Sequence, residues 1–393
     1  MNKYIVLVSL SNDLGGAQIR YLSLYCEISK RQNDYTLVIN RKLYEIARST
    51  GNLADHSGKI EIMEIDQLTN NTRNENVTRI DKRKKKSRIR ILLNRILTTC
   101  KLVKYTYQLH LIFKKNKPDY VYSVWVGGMI AWPLKYLYKF KLVYSYMDSG
   151  FSSLNSFWEA PLKSEQLPLK HSDTIDFLSA DLYKGVMDKV KLKAKNTISI
   201  TPCSFKNYDN IVPYHPKKNT VTFCSRMTAI KNPMLLLESI KVFNSNYKNW
   251  KETNFQFLGN GECMTQMQEF IEKHKLANIE LLGEVKNPVD YLSKSKIFVS
   301  IQQSNNYPSQ SLMEAMACEN AIIASDVGET RKLVTEKEGV LVKLDLNTIS
   351  NAIIMLLTNN EQCAELGKQG RLKVLKEHTV DLYLDYFYSL EKI

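Results

Sequence analysis

The amino-acid sequence predicts an α/β protein with two doubly wound parallel sheets, and three observations support this fold class. The chain has 393 residues, and at roughly 100 to 200 residues per domain this length suggests two domains. Short apolar runs alternate with helical stretches, which is typical of parallel sheets covered by helices. The alternation begins again after Pro213 and Pro216. We therefore predict two successive Rossmann-like units that face each other across a cleft.

Each predicted strand is a short run rich in β-branched, leucine or aromatic residues. A helix over about residues 17–30 follows the first run, and helices separate the later ones. The predicted strands cover residues 4–10, 35–39, 60–65, 120–126, 142–146, 174–178 and 197–201, then 220–225, 255–258, 279–282, 297–300, 321–324 and 340–342. We assign an N-terminal domain to 1–205, a C-terminal domain to 206–375 and a final helix to 376–393.

Composition excludes several classes of protein. With 44% hydrophobic and 24% charged residues, and only 15 Gly and 10 Pro, the chain is typical of a folded protein rather than a disordered or collagenous one. The apolar run over 4–10 is too short for the core of a signal peptide. The longest uncharged stretch, 120–134, is shorter than the ~18 to 20 residues that a membrane-spanning helix needs. We therefore expect a cytoplasmic protein without a transmembrane helix.

The cysteines and histidines give no sign of a metal site. The seven cysteines are scattered and never spaced as Cys-x-x-Cys, which predicts reduced, mostly structural thiols. The six histidines form no pair at metal-ligand spacing, and no Asp-x-Asp motif occurs that could hold a divalent cation against a diphosphate. We therefore predict neither structural zinc nor a required catalytic metal.

The net charge of +15 is concentrated in one segment. Residues 82–117 contain thirteen cations and no acid, which leaves +2 for the rest of the chain. Apolar residues of the same segment recur at steps of three and four, which predicts one or two amphipathic helices: Ile89, Leu92, Leu93, Ile96, Leu97, Val103, Tyr107 and Leu111. Such a helix fits an anionic membrane surface, but a helix packed in its domain behind a solvated basic loop has the same pattern. Nucleic acid is the least favoured partner.

The strongest local feature follows the predicted strand over 297–300. Pro308 and Ser309 can start a helix as turn and N-cap, so the backbone N–H groups of Gln310, Ser311 and Leu312 point out of its start. Together with the helix dipole these groups form a phosphate site. Glu314, about one turn further on, could accept hydrogen bonds from a ribose diol. A simple helix cap would give the same local sequence.

Two cations follow the predicted strand over 220–225. Arg226 lies at the end of this strand, and Lys231 precedes Pro233, which opens a helix. Cations held at a strand end and a helix start are a plausible clamp for a diphosphate. Taken alone, the pair is equally compatible with ordinary surface charge.

These motifs together resemble family 4 of the retaining glycosyltransferases (glycosyl transferases group 1), of bacterial surface-polysaccharide type, which have the GT-B fold. Six segments of the second half occur in the order and at the spacing of that family. They are the interdomain segment 198–205, Arg226 with Lys231-Asn-Pro233, the glycine loops 257–262 and 282–285, the helix 308–317 and the loop 326–329.

The resemblance implies a metal-independent hexosyl transfer from a nucleoside-diphosphate sugar. Arg226 and Lys231 would bind the diphosphate, Glu314 the ribose, and Glu284 and Val285 would lie near the base. The remaining donor contacts would come from Gly259 in the C-terminal domain and from the turn containing Gly15 and Gly16, where small residues let backbone approach the donor. The acceptor would be a glycan or lipid-linked glycan bound to the N-terminal domain, with residues 82–117 on the inner face of the membrane. The final helix would cross back to the first domain, unless it is only a terminal packing helix.

Two positions depart from the family pattern. Asn306 stands where the family has a first Glu, and an amide cannot stabilise positive charge. No His occurs in the loop after the strand over 142–146, where Asp148 is the nearest polar substitute; a turn-forming Asp has the same signature. The sequence therefore leaves open a catalytically impaired relative that binds a polyanion or a membrane surface. An epimerase on the same fold would need paired carboxylates or His, which do not line up in the two halves.

Overall fold

The computed structural model describes residues 1–10, 14–32, 34–54, 56–65, 88–148, 154, 164–193, 196–203 and 206–393. The predicted basic segment 82–117 therefore begins outside the described residues. Positions 204–205 of the interdomain segment also lie outside them. The chain divides into two compact units. The first comprises Met1–Pro202 and Leu384–Ile393, and the second comprises Cys203–Tyr383.

The first unit contains a seven-stranded parallel sheet in the order β3-β2-β1-β4-β5-β6-β7. Its strands are β1 (Lys3–Val8), β2 (Tyr35–Asn40), β3 (Lys59–Met63), β4 (Tyr120–Trp125), β5 (Lys141–Tyr146), β6 (Thr174–Phe177) and β7 (Thr197–Ile200), and its helices are α1 (Gly16–Arg31), α2 (Arg41–Ser49), α3 (Arg88–Lys115), α4 (Val126–Tyr138), α5 (Gln166–His171) and α6 (Ala180–Met187).

Burial on both faces explains the composition of the central strands of this sheet. All six residues of β1 are buried, as expected for a parallel strand covered by helices. A Cβ atom on Gly127 would lie 2.2 Å from the carbonyl oxygen of Val6. Glycine at this position therefore lets α4 pack directly against β1.

The second unit contains a six-stranded parallel sheet in the order β10-β9-β8-β11-β12-β13. Its strands are β8 (Lys218–Cys224), β9 (Asn254–Leu258), β10 (Ile279–Gly283), β11 (Ser295–Ser300), β12 (Ala321–Ser325) and β13 (Gly339–Val342), and its helices are α7 (Pro233–Asn246), α8 (Met264–His274), α9 (Val289–Leu292), α10 (Gln310–Ala317), α11 (Leu346–Thr358) and α12 (Asn360–Glu377).

Alternate residues of one strand supply the two cores of this sheet. Ile297 and Val299 of β11 pack with Phe223 and Phe257 on one face. Phe298, between them, packs on the other face with Leu312 and further residues of α10. The sheet is therefore covered on both faces, and the predicted fold class, two Rossmann-like α/β sheets, is confirmed.

The last helix, α13 (Val380–Lys392), belongs to the first unit from Leu384 onward. The Tyr386 hydroxyl donates to Asp176 Oδ1 at 2.6 Å, and Lys3 forms an ion pair with Glu391 at 2.8 Å. Burial raises the pKa of Asp176, whose carboxylate also accepts hydrogen bonds from Tyr122 at 2.6 Å and from Thr201 at 3.0 Å. The first two contacts fasten α13 to strands β6 and β1, and Asp176 also links β6 to β4 and to the residue that follows β7.

No helix in the described part of the chain has both the length and the apolar character needed to cross a membrane.

Candidate functional site

Loops at the carboxyl ends of the strands of the second unit contact one another. The N–H of Gly259, after β9, donates to the Gly283 carbonyl at 2.6 Å, and the N–H of Gln303, after β11, donates to the Ile230 carbonyl at 3.0 Å. In open parallel sheets this edge is where ligands bind. The predicted donor-site residues of the second unit all lie in or beside these loops.

Glycines allow the loop after β9 to lie against the loop after β8. Gly259 has φ = +126°, and a Cβ atom there would lie 2.0 Å from the Ser225 carbonyl oxygen. A Cβ atom on Gly261 would lie 2.5 Å from the Met227 carbonyl oxygen. The loop that carries Arg226 is thus supported on backbone that tolerates no side chain at Gly259 or Gly261.

Arg226 and Lys231 are the two cations of the predicted diphosphate clamp. Arg226 is exposed and Lys231 is half-buried, and the Lys231 ammonium donates to the neutral amide oxygen of Gln302. Burial lowers the pKa of Lys231, and the positive charge of Arg226 lowers it further. Across the described ranges neither cation forms an ion pair, so their charge is available to an anion.

The loop over residues 301–309 connects Lys231 to the start of α10. Gln302 Nε2 donates to the Asn305 carbonyl at 2.5 Å, and Asn305 Oδ1 accepts the N–H groups of Tyr307 and Glu329 at 3.0 Å each. Gly328, at φ = +51°, lies so close that a Cβ atom would be 2.8 Å from Asn305 Cα. This network fixes the path of the chain into α10.

The start of α10 offers free backbone donors. Ser309 occupies the N-cap position, but its side chain makes no capping hydrogen bond, contrary to the expected cap. The first backbone bond at this end runs from the Met313 N–H to the Ser309 carbonyl at 3.1 Å. Within the described structure, the N–H groups of Gln310, Ser311 and Leu312 have no acceptor, which is the arrangement that binds phosphate.

Glu314 is buried and held by two donors from its own unit. Its Oε1 atom accepts hydrogen bonds from Lys206 Nζ at 2.6 Å and from Gln310 Nε2 at 3.2 Å. Burial raises the pKa of the Cys224 thiol to about 12, and the negative charge of Glu314 contributes, so the carboxylate lies near the end of β8. The sequence analysis missed Lys206, because this residue lies 108 positions from Glu314. The only feature of the sequence that pointed to Lys206 was its position directly after the interdomain segment 198–205.

Asn306 is only 2% exposed, and its Nδ2 atom donates to the Ser300 hydroxyl at 2.8 Å. This amide therefore forms its hydrogen bond to the end of the preceding strand.

The predicted base-contacting residues follow β10. Glu284 is exposed and Val285 is half-buried, next to Gly283 at φ = +67°. These two residues extend the same edge of the sheet.

The remaining predicted residues belong to the first unit. Gly15 is the N-cap residue of α1 and Gly16 is its first residue, and the N–H of Gly15 donates to Gln18 Oε1 at 3.0 Å. Asp148 follows β5 and is half-buried, and its carbonyl accepts the Tyr146 hydroxyl at 3.2 Å. Among the residues that the structure describes, no group of three or more His, Cys, Asp and Glu could hold a metal ion.

Comparison with solved structures identifies the class of fold. The whole chain superposes on all of HepE from Anabaena, solved with UDP and glucose, with a TM-score of 0.74 at 11% identity. It also superposes on all of a TarM mutant from Staphylococcus aureus, solved with fondaparinux, alpha-GlcNAc-glycerol and UDP, with a TM-score of 0.68 at 15% identity. The fold is that of the GT-B glycosyltransferases.

The sequence of the second unit identifies its domain. Residues 204–373 match the family model of glycosyl transferases group 1. A poly(ribitol-phosphate) alpha-N-acetylglucosaminyltransferase of Staphylococcus aureus (strain COL) is 25% identical over 196 residues, which cover 48% of this chain. The match spans 38% of that relative's own length.

Proposed function

We propose that this protein is a retaining, metal-independent glycosyltransferase that moves a sugar from a nucleoside-diphosphate sugar to a hydroxyl group. The observation that carries the proposal is the pair Arg226 and Lys231, which form no ion pair among the described residues, at the same edge of the sheet as the free N–H groups at the start of α10. Three sources of positive potential at one edge of a sheet form a site for a diphosphate. The domain match over 204–373 supports the same conclusion.

The reaction follows from where charge develops. The bond between the anomeric carbon of the sugar and the diphosphate oxygen breaks, and negative charge accumulates on the leaving phosphate. Arg226, Lys231 and the N–H groups of residues 310–312 would stabilise that charge. The acceptor oxygen bonds to the anomeric carbon on the face that the diphosphate leaves, and its proton passes to the leaving phosphate. The products are the glycosylated acceptor and a nucleoside diphosphate.

We propose UDP as the nucleotide part of the donor, because HepE and TarM were both solved with UDP. Glu314 would accept the ribose hydroxyls, and Glu284 and Val285 would lie beside the base. Gly259 would support the loop at the diphosphate. Gly15, Gly16 and Asp148 of the first unit would help to bind the donor sugar. Asn306 of the second unit would act indirectly, by stabilising its loop.

We further propose that the acceptor is a lipid-linked glycan of surface polysaccharide synthesis and that α3 holds the enzyme on the inner face of a membrane. One side of α3 packs in the core of the first unit through Leu102, Tyr105, Leu109 and Phe113. The other side exposes six apolar side chains: Leu93, Ile96, Leu97, Val103, Tyr107 and Leu111. An exposed apolar row on a helix whose other face is packed fits insertion into a lipid surface.

Charge complementarity favours an anionic lipid surface. The segment 82–117 is without an acid, and Lys114 in the last turn of α3 and Lys117 just after this helix are exposed. Each Lys or Arg near an anionic bilayer contributes about 1 kcal/mol. Nucleic acid would match the charge alone, whereas a bilayer matches both the cations and the exposed apolar row.

The donor site is tested by thermal unfolding with UDP, GDP, ADP and CMP in the presence of EDTA, for the wild type, Arg226→Ala and Glu314→Gln. A ligand that binds only the native state stabilises it by about 2.7 kcal/mol at a hundredfold excess over Kd. We expect UDP to raise the unfolding temperature of the wild type and neither variant to respond as strongly. Absence of a shift with every nucleotide, together with salt-sensitive binding to polyanions, would favour the catalytically impaired relative instead.

A further inference from the structure

Lys206 and Glu314 form an ion pair that neither the sequence pattern nor the proposed reaction accounts for. The Lys206 Nζ to Glu314 Oε1 distance is 2.6 Å, with 41% of the lysine side chain and 8% of the glutamate side chain exposed. Gln310 Nε2 donates to the same oxygen at 3.2 Å. Within the described structure, Glu314 Oε2 accepts no hydrogen bond. One carboxylate oxygen is thus occupied and the other is available.

A carboxylate at this position poses an electrostatic problem for a diphosphate site. Glu314 lies about one turn into α10, whose first N–H groups are free, and its charge acts on Cys224 at the end of β8. A buried negative charge repels a nearby phosphate, because the low-dielectric surroundings screen it poorly. A cation in direct contact with the carboxylate cancels that repulsion while leaving the second oxygen able to accept.

We propose that Lys206 is a positioning residue of the nucleotide site. It holds Glu314 Oε1, so that Oε2 faces the ribose hydroxyls, and it neutralises the carboxylate beside the diphosphate. This inference rests on the proposed function, since it takes the ligand to be a nucleoside diphosphate. Recognition of the ribose diol therefore depends on a residue outside the Arg226, Lys231 and Glu314 set.

The test compares UDP with 2′,3′-dideoxyuridine 5′-diphosphate, which lacks both ribose hydroxyls. Calorimetric titrations give Kd for both ligands with the wild type, Lys206→Met, Lys206→Arg and Glu314→Gln. Lys373→Met is the matched control, because Lys373 pairs with the buried Glu338 at 3.7 Å in the same unit. A change in stability alone would alter the two Kd values in parallel and leave their ratio unchanged.

We expect the wild type and Lys373→Met to prefer UDP by about tenfold, the effect of losing hydrogen bonds to a charged acceptor. Glu314→Gln and Lys206→Met should bring the two Kd values within about twofold of each other, and Lys206→Arg should retain most of the preference. If Lys206→Met does not fold, Lys206→Gln takes its place with the same expected loss.

A wild-type Kd ratio in the folded Lys206→Met or Lys206→Gln variant would overturn the inference and leave the proposed function intact. If the wild type binds none of UDP, GDP, ADP and CMP, the proposed function and the inference fall together.

Discussion

Tyr386 donates a hydrogen bond of 2.6 Å to Asp176 Oδ1 across 210 positions of the chain. Asp176 is buried, and its carboxylate also accepts hydrogen bonds from Tyr122 and Thr201. The last helix of the chain is therefore bound to the interior of the first sheet by a hydrogen bond to a buried acid.

Removing this hydroxyl should destabilise the first unit. A hydrogen bond to a charged group contributes about 1.5 to 3 kcal/mol, and we expect Tyr386→Phe to lose that amount. Tyr388→Phe is the matched control, because the Tyr388 hydroxyl is buried without a hydrogen-bond partner in the described structure. Urea denaturation, followed by tyrosine and tryptophan fluorescence, measures the stability of both variants. Equal midpoints for the two variants would contradict the assigned role of Tyr386.

Lys231→Ala should reduce transfer of the sugar. Among the described residues the ammonium has no acidic partner, so it would be available to the leaving diphosphate. Losing one such donor reduces kcat by about 10²- to 10³-fold. The control is Lys248→Ala, an exposed lysine of the same unit. The measurement is release of UDP from UDP-sugar donors. Near-normal turnover by Lys231→Ala would remove this residue from the diphosphate site.

The affinity for UDP should fall as the pH rises. Burial and Arg226 lower the pKa of Lys231 in the free protein, whereas a bound diphosphate favours the protonated form and raises that pKa. Well below the pKa of Lys231 in the free protein, the affinity therefore does not change with pH. As the pH rises through that pKa, the affinity falls, because UDP binding then requires Lys231 to take up a proton. Titrations above pH 7 avoid the second phosphate ionisation near about 6. Lys231→Arg, which stays protonated, should bind with little pH dependence; a wild-type profile for this variant would contradict the assignment.

Lys217 should make stability depend on alkaline pH. Burial lowers its pKa from 10.5 to about 8, and the ammonium donates to the carbonyls of Ser293 and Cys318. Between these pKa values the unfolded chain binds more protons than the native one, so the free energy of unfolding should rise with pH from about 8 to 10.5. Lys217→Met should lose this rise, and the exposed neighbour variant Lys218→Met should keep it. Urea denaturation curves at several pH values give the free energy of unfolding of each protein. If this free energy still rises between about pH 8 and 10.5 in Lys217→Met, the prediction is contradicted.

Charged residues on the exposed row of α3 should prevent membrane binding. Leu97 and Val103 are 60% and 64% exposed, and we expect Leu97→Glu with Val103→Glu to reduce sedimentation with anionic liposomes by at least about tenfold, because apolar burial and charge attraction are both lost. Leu372→Glu is the control, since Leu372 of α12 is also 60% exposed. High salt should weaken wild-type binding. Failure of the wild type to sediment at low salt would contradict the membrane proposal.

The fold class was predictable because its signal is local. The run over 297–300 was recognised as a strand from its apolar residues, and β11 covers Ser295–Ser300. Pro233 marked the start of α7 because proline is favoured in the first turn of a helix, which located Lys231 just before it.

The contacts within the candidate site were not predictable, because they join distant positions. Lys231 meets Gln302 across 71 residues, and Lys206 meets Glu314 across 108. No periodicity or spacing encodes such pairs, since they depend on which loops the sheet order brings together. The Ser300 partner of Asn306 is only six positions away, but the side-chain direction in an irregular loop has no sequence signature.

The return of α13 has a consequence for biosynthesis. Residues 384–393 belong to the first unit, and they are translated after the entire second unit. Until they leave the ribosome, Asp176 lacks the Tyr386 hydroxyl and Lys3 lacks Glu391. The first unit is translated before the second, but it can complete its native contacts only after the second unit has been synthesised.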